Sequence, residues 1–90
     1  MSDNTTMPKV TFSTFILSLA SATLVQLGEI PEPESQKKQP NKMLAKHSID
    51  LLNMLQTKTK GNLDAQEQQM LDNMLFELKM KYVQNFGEKN

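Results

Sequence analysis

Any chemistry in this chain must come from a short supply of side chains. His47 is the single histidine, the residue type most often used for proton transfer and metal binding. Proton transfer or metal binding there would need a companion, and the sequence offers no obvious one. It falls between Met43 and Met54 at the edge of an apolar face, as a boundary histidine with a solvated nitrogen does. Met70, Met74 and Met80 could present three thioethers to copper(I), with Met70 and Met74 one helical turn apart. Without an accompanying Cys or His they read instead as flexible core filler. Asp50, Asp64, Glu67, Asp72 and Glu77 lack the paired Glu-x-x-His arrangement of di-metal bundles. The stretch KTKGN at 58–62 resembles an anion cradle, but phosphate loops follow strands and open helices, whereas Gly61 closes one. A serine nucleophile would need a base and an oxyanion site, and His47 is the lone candidate base. The expectation is a protein that is not an enzyme, with no catalytic residue, cofactor or metal site.

Composition narrows the partners. Ten acidic and ten basic residues balance, so no long-range field recruits nucleic acid or an anionic membrane. Every basic residue is Lys, which removes the planar fork that grips phosphate or guanine, and nucleic acid is not expected as a partner. Cysteine is absent, so neither a disulfide nor a thiolate metal site can staple the fold. Of the 90 residues, roughly 65 remain for ordered structure once polar ends and a Pro-rich stretch are set aside, which is close to the smallest self-sufficient core. Partner chains are the remaining staple.

These side chains must be carried by helices. A polar segment at 1–10 reads as a tail. A first helix is predicted over about 11–27, capped by Thr11 or Ser13 and stopped by Gly28. Pro31, Pro33 and Pro40 make 29–41 an extended linker. Leu44, Leu51, Leu52 and Leu55 recur at helical spacing in a second helix over 42–58, with Gly61 as its left-handed cap. Asp64 and Glu67 form an acidic capping box that opens a third helix, predicted over 64–86, and 87–90 is a tail. With no strand alternation and no internal repeat, the fold class is all-α: one helical domain at 11–86 whose last two helices form an antiparallel hairpin. Whether the first helix packs on its own hairpin or on a neighbour's is left open.

That first helix belongs to an uncharged stretch, Val10 to Gly28, about 28 Å long if helical, against a hydrocarbon layer of roughly 30 Å. Seven Ser, Thr and Gln side chains weaken insertion, and neither flank fixes an orientation. Ala20 to Ala22 match the small-x-small rule of signal peptidase, yet the leading segment has no net side-chain charge and the apolar core is short. On a helical wheel Phe12, Phe15, Ile16, Leu17, Leu19, Leu24 and their apolar neighbours cover roughly 220°, more than one hairpin can hide. Phe76, Met80 and Val83 form a second ridge on the third helix, away from Met70, Leu71, Met74, Leu75, Leu78 and Tyr82. These two surfaces, the first helix and the ridge, are the expected contacts of a cytoplasmic homo-oligomer serving as an interaction or scaffold module. An unidentified protein partner is a further candidate, and the alternative is membrane association through residues 10–28 as an anchor or interfacial segment.

The blocks FSTFILSLASATLVQLGEIPEPE, LAKHSIDLLNMLQTKTKGNL and LKMKYV resemble the family named domain of unknown function 1844, over about Thr11 to Val83. The chain departs from it at Lys79 and Lys81, where the family often has Arg. The resemblance implies a small bacterial protein without an assigned activity, and no functional residue is carried over from it.

Overall fold

Each helix begins where a side chain can satisfy a free backbone N–H. The structure, a computed structural model, describes residues 9–87, so the tails expected at 1–10 and 87–90 lie almost wholly outside the described residues. Helix α1 spans Phe12–Leu27, α2 spans Lys42–Lys58 and α3 spans Ala65–Phe86. At the start of α1, the Thr14 amide donates to the Thr11 hydroxyl at 3.0 Å, and the Thr11 amide donates back to the Thr14 hydroxyl at 3.0 Å. This is a capping box built from two threonines. Asn41 accepts from the Leu44 amide at 3.0 Å to open α2. Asp64 and Glu67 exchange bonds of 2.8 and 2.9 Å to open α3.

The ends are less uniform. Gly28 takes a φ of +83°, and its amide and that of Glu29 donate to Val25 and Leu24 carbonyls, a complete Schellman closure. Helix α2, by contrast, stops at Thr59 in a right-handed conformation, and Gly61, φ +85°, turns the corner two residues later.

Polar contacts fix the order up, down, up. The end of α1 meets the start of α2, where the Ser48 hydroxyl donates to the Gln26 side-chain oxygen at 2.6 Å. The end of α2 meets the start of α3, where the Gln56 amide donates to Asp72 at 2.7 Å. The three helices touch pairwise, so α1 is covered on two sides by its own hairpin. The linker at 29–41 is not extended throughout. Gln36 and Glu32 amides donate to Glu32 and Lys37 carbonyls in a turn, and the Asn41 amide returns to the Gln26 carbonyl at 2.7 Å. Pro40 thereby lands against Gly28.

The core takes Ile16, Ala20 and Leu27 from α1, Ala45, Ile49 and Leu52 from α2, and Leu71, Leu75, Leu78 and Tyr82 from α3. Phe86 stacks edge-on against Tyr82 at 5.1 Å. On α2 the buried line keeps only part of the leucine line that spacing suggested: Leu52 is buried and Leu55 packs against the core, whereas Leu44 and Leu51 are exposed. The smaller Ala45 faces inward, which allows close approach of the neighbouring helices. Thr23 is fully buried with them, and its hydroxyl donates to the Leu19 carbonyl at 2.7 Å. Among the described residues no helix is long and apolar enough to cross a membrane.

Candidate interaction surface

The phase of α3 determines what it shows to solvent. With Leu71, Leu75, Leu78 and Tyr82 turned inward, residues about a third of a turn or more away must face out. Phe76 is 65% exposed, Met80 45% and Val83 49%. These three side chains thus stand exposed in one row on a helix whose other apolar line is buried. The α1 candidates divide differently. Ile16, one of the expected contact residues, is fully buried in the chain's own core. Its neighbours Phe15 and Leu17 flank it on opposite sides, each about half exposed. Phe12, Leu19 and Leu24 pack partly buried against the core.

Leu17 and Leu24 face α3 across an open groove of about 390 Å³, with Ala20, Met70 and Met74 among its apolar lining. Asn73, Glu77 and Lys81 line its edge. Glu77 and Lys81 also line a shallow hollow with Phe76 and Met80, so this polar row lies between the groove and the ridge. The three thioethers considered for copper therefore do not converge: Met70 and Met74 belong to the groove and Met80 to the hollow beyond it. His47 is exposed on α2. Among the described residues no group of three His, Cys, Asp or Glu side chains could hold a metal ion.

Glu77 and Lys81 lie four residues apart on α3 but make no ion pair with each other. Lys81 turns instead to Glu29 at 3.7 Å, while the Asn85 amide donates to Glu29 at 2.7 Å. Residues 29 and 85 are far apart in sequence, and no local signal links them. The Asn85 hydrogen bond, and after it the Lys81 charge, hold the Glu29 carboxyl below its ordinary value of 4.5, against an opposing effect of partial burial. A depressed folded value means that the carboxylate stabilises the fold above the ordinary value and that this contribution fades as pH falls through the folded one. Asn85→Ala is therefore less stable than the wild type at pH 7, and its deficit is smaller at a pH below the ordinary carboxyl value, where only the Asn85 bond to the Lys81 carbonyl remains to be lost. Urea midpoints at the two values measure this, and an equal deficit at both would remove Asn85 as the cause.

Compared with known proteins, residues 9–84 match the model of one family, described as a domain of unknown function (DUF1844). No curated protein and no solved structure matches the chain.

Proposed function

The chain belongs to that family, whose description assigns no activity, and we propose that it is a non-catalytic interaction module working as a homo-oligomer in the cytoplasm. The observation that carries this reading is the ridge: Phe76, Met80 and Val83 recur at helical spacing on α3 and stay about half exposed or more, while the other apolar line of the helix, Leu71, Leu75, Leu78 and Tyr82, is buried. Burying what remains of them is worth about 1 kcal/mol each, or roughly 6 kcal/mol over two copies. Micromolar association requires about 8 kcal/mol net of the entropic cost, so the ridge alone supports a weak complex and neighbouring side chains must add to it.

Sedimentation equilibrium tests the reading. The wild type is expected to associate in the micromolar range, and Phe76→Glu to sediment as a folded monomer with an unchanged helical spectrum, because the exposed side chain contributes little to its own fold. A wild type that stays monomeric at about a hundred times that concentration ends the proposal. Recovery from cells in the detergent-free soluble fraction is expected as well, and a requirement for detergent would favour membrane contact instead.

A further inference from the structure

The ridge is one stretch of a heptad seam, with Gln69, Asn73, Phe76, Met80, Val83 and Gly87 at alternating spacings of four and three. Its apolar part is centred near Met80, so a second copy could meet it in either direction. The flanking charges distinguish the two. With parallel helices in register, Asp72 of each copy faces Glu77 of the other, placing carboxylates against carboxylates twice. With antiparallel helices about an axis near Met80, Phe76 lies opposite Val83 of the second copy, Met80 lies beside Met80, and Glu77 lies opposite Lys81. Glu77 has no ion pair within its own chain among the described residues, and Lys81, whose contact with Glu29 is long at 3.7 Å, lines the same edge of the ridge, so pairing with Glu77 of the second copy competes with that contact. On the far flank the two Lys79 residues approach each other, a single like-charge contact that opposes the pairing, because Asp50 in the same hollow is already bound to Lys46.

We propose that the occupant of the α3 ridge is a second copy of this chain, docked antiparallel through Phe76, Met80 and Val83 with Glu77 and Lys81 paired across the two-fold axis. This rests on the homo-oligomeric reading and adds the surface and the direction to it.

The chain contains no cysteine, so an introduced thiol is the only one present. Full-length Phe76→Cys and Val83→Cys are oxidised separately and as an equal mixture, and their products are weighed intact. The antiparallel complex yields the mixed disulfide at about tenfold over either self-linked species, since only opposed positions bring the two Cα atoms within reach. Efficient self-linking of each variant alone, without the mixed product, establishes a parallel pair and overturns the proposal while leaving the homo-oligomer intact. An oligomeric wild type whose variants link in neither way places the contact on another face and also overturns it. Failure to cross-link together with a monomeric wild type ends both readings. Circular dichroism of each reduced variant confirms that it is folded before it is scored.

Discussion

Ile16→Ala lowers the free energy of unfolding by about 3 kcal/mol, a large part of the roughly 5 kcal/mol that a domain this small commands. Ile16 is fully buried between its α1 neighbours and the hairpin, so removing three of its carbons leaves a cavity that helices pinned at both ends cannot readily close. Ile16→Val, which removes one methylene, costs about 1 kcal/mol. Phe15→Ala also costs about 1 kcal/mol, since about half of that larger ring already meets water. Urea denaturation of the three variants gives the comparison directly. An order in which Phe15→Ala is the most damaging would mean that α1 is rotated from the position described.

Gly28→Ala is the second large effect, at about 2–3 kcal/mol. Two costs combine there. A φ of +83° disfavours any residue with a Cβ by about 1–2 kcal/mol. In addition, the new Cβ would lie 3.0 Å from the Pro40 Cβ, so the linker must shift. Gly61→Ala is the matched control, because Gly61 has a φ of +85° and nothing within 4 Å of the added carbon. Gly61→Ala should therefore pay only the backbone cost, and the difference between the two variants measures the contact with Pro40. Equal losses from thermal or urea unfolding would show that the linker yields freely at that corner.

The helix limits were legible because capping is local. Thr11, Asn41 and Asp64 each act within three residues of themselves, and Gly28 and Gly87 within four at the other ends. The ridge on α3 was legible because it follows from the phase of one strongly periodic helix. The inward direction of α1 was harder to read. Its apolar arc is wide, and Thr23, polar by type, lies at its buried centre because its hydroxyl satisfies itself on Leu19. Without Thr23 as a marker, Ile16 and Phe15 look equivalent in sequence. On α2 the same ambiguity favoured the larger leucines over Ala45, whose value lies in how little space it takes. The groove beside Leu17, the Gln26 and Ser48 bond and the turn of Lys81 toward Glu29 depend on residues brought together only by the closed fold.

The return of Asn41 to the Gln26 carbonyl also bears on how quickly the chain finds its fold. Both reversals of direction join helices that follow one another along the chain, and the first is sewn shut by residues at the two ends of its own connector. Much of the native contact map is therefore of short sequence separation, which in helical proteins goes with folding in microseconds to milliseconds and little time spent as a sticky intermediate. The exception is the parallel contact of α1 with α3, which must wait for the last helix. It is this late step, closing over Leu27 and Leu71, that should set the height of the kinetic barrier.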